Sequence, residues 1–276
     1  MEKLTFDSVV IKMKDLIGKT WKIVIIPYIL MAIYSVYTTA FTDVYKGFDN
    51  PNVVSAMGIE TMMSKLALMY LNIGIILVIT GLLALFVITT FHHADQSKSL
   101  APMVLIAQSV KCLPRVIGGY LIIALCFLGA IIVLTLLSVL GMMWLVPIGV
   151  LLIIVEFVFF LFLYYFFSMS AYILIIEKKT FILRRSIDIF KNSKGLLAIY
   201  FAVMVGVSIA VSMITMPSQM VNNEVIKLLA TILSSGISII VGPLLTAFGL
   251  IMYNEIIRKE ERQPIIEATE REGLVE

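Results

Sequence analysis

Glu156 is the one Asp, Glu, Lys, Arg or His well inside a long apolar block, in VLLIIVEFVFFLFLYYFF. A carboxylate in hydrocarbon is costly, so this side chain must face protein, water or a bound cation, and it is protonated where it is dry. Two chemistries suit it: a proton- or cation-coupled step in transport, or a neutral carboxylic acid hydrogen-bonded between helices. By depth alone the candidate partners are Ser238, near its level, and Asn72, nearer the outside. His92 and His93 could hold a metal or sense pH, but adjacent rings on a helix point in different directions and no third ligand is placed beside them. They read as interface residues. Cys112 and Cys126 form no CxxC, and the chain contains no Walker loop, HExxH or GxSxG. No cofactor and no metal are expected.

A second group is basic. Arg184, Arg185 and Lys191 stand in a short amphipathic stretch in which Leu183, Ile187 and Phe190 oppose Arg184, Arg185, Asp188 and Lys191. Such a helix lies at a membrane surface with its apolar face in the acyl boundary, and its cations are expected to meet anionic lipid or a partner protein. The plainer alternative is an anchor whose cations follow the positive-inside rule.

These residues must be positioned by membrane helices. The chain is 61% hydrophobic and 14% charged, far from the balance of a soluble domain. Its apolar blocks at 21–41, 66–91, 116–140, 142–176, 196–216 and 226–257 each reach the ~20 residues that span a bilayer. The expected fold is all-α, with six transmembrane helices over residues 1–258 and a charged tail at 259–276. The first twenty residues are amphipathic rather than signal-like, so retention of this segment is expected. With the first segment in the cytoplasm, 18 Lys and Arg fall inside and three outside. That asymmetry predicts a cytoplasmic (inner) membrane protein with both termini cytoplasmic. The single sizeable outer loop is 42–65, with Gly47, Asp49, Asn50 and Pro51 as turn signals, and helices 3 and 4 are expected to meet at Gly141. A net charge of +3 gives no reason to expect nucleic acid.

Three amphipathic stretches precede the odd-numbered spans and align without gaps: KDLIGKTWKIVIIPYI, VKCLPRVIGGYLIIAL and IDIFKNSKGLLAIYFA. They predict a threefold repeat of interfacial helix plus hairpin. In the first, Val9, Val10, Met13, Leu16 and Ile17 share a face away from Lys12, Lys14, Asp15 and Lys19. Small residues recur at every fourth position, as Ala198, Ala202, Gly206 and Ala210 and as Ala230, Ser234, Ser238, Gly242 and Thr246. This spacing predicts close packing of helices 5 and 6, or of one of them on another protomer. Pro27, Pro147 and Pro243 are candidate kinks.

The stretch SMSAYILIIEKKTFILRRSIDIFKNSKGLLAIYFAV resembles a bacterial membrane family typified by the transmembrane region of membrane-anchored glycerophosphodiester phosphodiesterases. Ala171, Glu177, Arg185 and Ser186 occupy the family's motif places, and QSVKCLPRVIGGYL is similar to its middle segment. The resemblance implies a six-span layout but no phosphodiesterase activity, because the soluble catalytic barrel is absent. The expected role is non-enzymatic: transport, lipid handling or envelope maintenance, with membrane lipids, including anionic ones, as partners. One alternative is the permease or accessory subunit of an exporter whose ATPase is a separate chain. Another is an intramembrane lipid-modifying enzyme, for which Glu177, His92 and Asp95 are only scattered candidates.

Overall fold

The computed structural model describes residues 5–41, 64, 79, 81–144, 146–179, 182–220 and 224–272, and among these every regular element is helical. Helix α1 is Phe6–Phe41, α2 covers 81–95, α3 is Pro102–Trp144 and α4 is Val146–Phe167. A short α5, Ser170–Tyr172, runs into a π-helical turn, Ile173–Glu177, and is followed by α6, Ile182–Met220, and α7, Glu224–Glu272. Among the described residues, five helical segments are long and apolar enough to cross a membrane: Phe6–Tyr37, Pro102–Gly141, Leu151–Glu177, Ile182–Ile214 and Val225–Glu261. The chain thus has the architecture of a multi-pass membrane protein. Most of the 66–91 block and the 42–65 loop lie outside the described residues.

Burial is reversed relative to a water-soluble bundle. Leu128, Val133, Leu136, Leu151, Phe157, Val158 and Met213 are each more than half exposed, and a soluble monomer does not present so continuous an apolar surface. The buried core lies mainly at the end of the bundle where the basic residues gather. It includes Leu16 and Val24 of α1, Phe91 of α2, Ile173 and Leu174 of the π turn, Ile182, Ile189 and Leu197 of α6, and Leu250, Tyr253 and Ile256 of α7. The closest helix pairings are α1 with α7, α3 with α4, and α6 with α7.

Several expected boundaries move. Gly141 lies within α3, which continues to Trp144. The 142–176 block is not one helix: α4 ends at Phe167, and Met169 adopts φ −95° and ψ 4°. A block of thirty-five residues exceeds one crossing, and its C-terminal part turns into the core, with Ser168 Oγ donating to Tyr165 O at 2.8 Å. The first amphipathic stretch is continuous with its span in α1, and of its expected apolar face Val9 and Leu16 are buried and Met13 and Ile17 half-buried, whereas Val10 is exposed. Pro27 lies inside α1 without ending it. Only the third stretch is set off from its span, by the non-helical Ser193 (φ −137°, ψ 29°). Freed carbonyls at this kink find donors: Lys259 Nζ reaches Asn192 O at 3.2 Å and Tyr165 OH reaches Lys194 O at 2.9 Å. Residues 259–272 continue α7 rather than beginning a separate tail.

Candidate functional site

At the basic end, one guanidinium joins three segments. Arg185 of α6 is 10% exposed; its Nε donates to both Glu177 carboxylate oxygens at 2.7 and 2.9 Å, and its Nη2 lies 2.6 Å from Glu177 Oε1. Its Nη1 and Nη2 donate to the two oxygens of Glu260, on α7, at 2.9 and 2.7 Å. This double fork uses the planarity of Arg, which Lys cannot reproduce. Two carboxylates on one cation leave a negative surplus, and Lys179 answers it with its ammonium 2.9 Å from Glu177 Oε2. Tyr253 OH also donates to Glu177 Oε1.

The expected facing of this amphipathic helix is therefore corrected. Leu183 and Ile187 do face outward, 48% and 37% exposed, as do Arg184 and Lys191, but Arg185 turns inward with Ile182, Ser186 and Ile189. Its guanidinium is committed to carboxylates of the same chain, so Arg184 and Lys191 are the cations left facing outward. Glu177 and Arg185 are thus paired directly, while Ser186 Oγ is buried with no hydrogen-bond partner among the described residues.

Behind the clamp stands a tyrosine cluster. Tyr172 stacks on Tyr253 (ring centroids 5.8 Å) and meets Tyr200 edge-on at 6.4 Å, an arrangement that favours the ring quadrupoles. Tyr172 OH donates to Thr246 O at 3.1 Å. Thr246 Oγ1 donates to Gly242 O at 2.9 Å, so Tyr28 OH, 3.1 Å away, must donate to Thr246 Oγ1. Thr246 thus ties α1 and α5 to α7.

The intramembrane candidates separate. Glu156 is half-buried between α3 and α4, where Thr135 Oγ1 donates to its Oε1 at 3.2 Å. Ser238 instead donates to Ser234 O within α7 at 2.9 Å. Asn72 lies outside the described residues. Of the two small-residue stripes, only the one on α7 packs against a helix. Ala230, Ser234, Gly242 and Thr246 are half-buried, and a Cβ at Gly242 would enter the Tyr28 ring of α1. Ala198, Ala202, Gly206 and Ala210 are exposed. Spans 5 and 6 do pair, as α6 with α7, but not through the α6 stripe, and at Gly242 the α7 stripe packs against Tyr28 of α1.

Three cavities flank this framework. A crevice of about 550 Å³ opens between α1, α6 and α7 and is lined by Tyr28, Met31, Val207, Ser208, Ser238 and Leu245 among others. An apolar groove of about 440 Å³, with Phe6, Val9, Met13, Val203, Leu245 and Phe248, shares Leu245 with it. A third space, of about 360 Å³, lies between α2, α3 and the π turn and is polar. Beside it, His93 Nε2 pairs with Gln108 Oε1, and its Nδ1 lies 3.1 Å from Ser99 O. Asn254 Nδ2 donates to Asp95 Oδ2 at 2.9 Å. Burial holds the His92 imidazole below its ordinary value, with Lys98, His93 and Lys178 acting in the same direction and Asp95 opposing them.

Glu260, Tyr253 and Tyr172 were not singled out by sequence. Their only signal was a polar-tipped aromatic or an acid at the boundary of an apolar block, a pattern that also marks ordinary interfacial residues. Compared with protein-family models, with curated proteins and with solved structures, the chain matches none.

Proposed function

We propose that this chain is a non-enzymatic, six-span lipid-handling protein of a bacterial cytoplasmic membrane, with both termini in the cytoplasm, and that it holds an acyl chain of a membrane lipid between α1, α6 and α7. The observation that carries this reading is the crevice and the groove lying side by side, with Leu245 in the wall of both. Within the crevice, Ser208, Ser234 and Ser238 donate to Met204 O, Thr231 O and Ser234 O. Their hydroxyls are therefore satisfied by backbone, so the wall presents little polar demand to a hydrocarbon guest. The groove is almost wholly apolar, and the surrounding solvent of a membrane helix is itself acyl chain. The resemblance of 168–203 to the transmembrane region of membrane-anchored phosphodiesterases supports the membrane layout and leaves the cargo to the crevice.

Filling the space tests this. Val207→Trp with Ser238→Trp should give a folded protein that, on native mass spectrometry after gentle purification, has lost the phospholipid that the unaltered chain retains. Equal lipid retention by a folded variant would refute the acyl-chain reading. Orientation is tested separately: a reporter at the C-terminus should register cytoplasm and one beside Asp49 the outside, and an external C-terminus would overturn the charge argument.

A second reading, a subunit of an exporter with a separate ATPase, draws on the outward Ala198, Ala202, Gly206 and Ala210 stripe. Small residues at this spacing allow close approach of another membrane helix. Co-purification of an ATPase in stoichiometric amount would favour it.

A further inference from the structure

The polar cavity between α2, α3 and the π turn is separate from the acyl crevice and has a one-sided charge. Lys98, Lys111 and Lys178 are exposed at its rim, Arg115 is half-buried in its wall, and among the described residues no Asp or Glu lines it. Among the described residues, none of these four side chains makes an ion pair or a hydrogen bond. Lys111 and Arg115, four residues apart on α3, share a helix face, where like charges repel. Of two nearby acids, Glu177 is held by Arg185, Tyr253 and Lys179, and Asp95, which accepts from the neutral Asn254, is one carboxylate outside the lining against four cations in it.

The positive-inside rule accounts for basic residues at this end of the bundle, but not for their convergence on one cavity. Nor does it account for the inner wall. Thr89 is 4% exposed, yet among the described residues its Oγ1 has no hydrogen-bond partner, and the buried His92 Nδ1 likewise has none. Buried polar atoms are ordinarily paired, so two orphans on one wall mark a place for a further polar partner, to which Thr89 Oγ1 donates and His92 Nδ1 donates in the tautomer protonated there. Four cations and two neutral donors suit a multiply charged oxyanion. The volume of about 360 Å³ is of the size found for small-molecule sites and leaves room for an organic group attached to the anion.

The geometry points to a binding site for a phosphate group in this cavity, held by Lys98, Lys111, Arg115 and Lys178 at the mouth and by Thr89 and His92 within. The group belongs either to an anionic phospholipid headgroup or to a soluble phosphate compound, since the chemistry that recognises both is the same.

The test uses the full chain in nanodiscs. In discs of zwitterionic phosphatidylcholine, inorganic phosphate should raise the thermal unfolding temperature saturably, beyond the effect of chloride at equal ionic strength. K111Q/R115Q should weaken this response by about ten-fold or more in half-saturating phosphate. The same variant should be more stable than the unaltered chain when phosphate is absent, because removing unneutralised repulsion stabilises the empty site; a merely structural role for the two residues predicts the opposite. K98Q/K178Q, altering other segments, should weaken binding in the same direction, and K191Q, outside the cavity, should leave it unchanged. Discs containing phosphatidylglycerol separate the sources. If the stabilisation is already present there and phosphate adds nothing, the headgroup is the occupant; if phosphate still acts fully, the occupant is soluble. Absence of stabilisation by both phosphate and phosphatidylglycerol, or a response that K111Q/R115Q leaves intact, overturns the proposal.

Discussion

Arg185→Met should destabilise the folded chain by about 3–5 kcal/mol, the range for removing one partner from a buried ion pair. Met keeps most of the volume but leaves Glu177 and Glu260 facing each other across the vacated guanidinium, at 11% and 20% exposure. Lys179 can neutralise only part of that charge. The measurement is unfolding in mixed micelles followed by circular dichroism. Arg185→Lys should fall between the two, because one ammonium cannot engage both carboxylates by paired forks. Arg184→Met, one residue away but exposed, should stay within about 0.5 kcal/mol of the unaltered chain. Equal effects at Arg184 and Arg185 would mean that the two cations act on the membrane surface alike. Combining Arg185→Met with Glu177→Gln and Glu260→Gln should recover part of the loss, since the charges left without a partner are then gone.

Gly249→Val should be nearly as damaging, at about 2–4 kcal/mol from overpacking and a lost hydrogen bond. A Cβ at Gly249 would fall on the hydroxyl end of Tyr172. That ring cannot step aside easily: Tyr253 stacks on it, Tyr200 meets its edge, and its hydroxyl is bonded to Thr246 O. The same unfolding assay reads the loss, and Tyr172→Ala in the Gly249→Val background should restore part of it by vacating the space. At Gly206 an added Cβ meets nothing within 4 Å, so Gly206→Ala should be neutral or slightly stabilising in the same assay through helix propensity. A large loss at Gly206 would place a partner helix on that stripe.

How much of this was legible in sequence differs by feature. The helical, membrane-spanning class followed from the apolar blocks, because only helices and closed barrels satisfy the backbone in hydrocarbon. The inward face of α1 followed from the spacing of Val9, Met13 and Leu16. By contrast, the break near Met169 was not read from the 142–176 block, since its only local mark is the pair Ser168 and Ser170, and two serines are compatible with an unbroken helix. Arg185 looked like its neighbour Arg184 because both lie where cations are expected; their opposite fates depend on Glu260, 75 residues away. Glu156 was placed in a helix correctly, and spans 3 and 4 were expected to form a hairpin, yet its partner Thr135 was invisible because the rotation of each helix about its axis is not legible in sequence. Lys98, Lys111, Arg115 and Lys178 entered the sequence reading only as topological charge, because convergence on a cavity is a property of tertiary structure.

The π-helical turn Ile173–Glu177, closed by Lys178 in the left-handed conformation (φ 56°), makes the clamp a matter of counting as well as chemistry. A π turn accommodates one more residue than the α-helical turn it replaces. Deleting any one of Ile173, Leu174, Ile175 or Ile176 would let the segment relax toward regular α-helix, rotating the residues on its C-terminal side by about 100° relative to those on its N-terminal side. Glu177 would keep its identity and lose its address, pointing away from Arg185 although no residue of the ion pair had changed. Drift in the length of this short segment is therefore constrained more tightly than its apolar composition, and a chain that had gained or lost one residue here would need a compensating shift in α6 or α7 to rebuild the same junction.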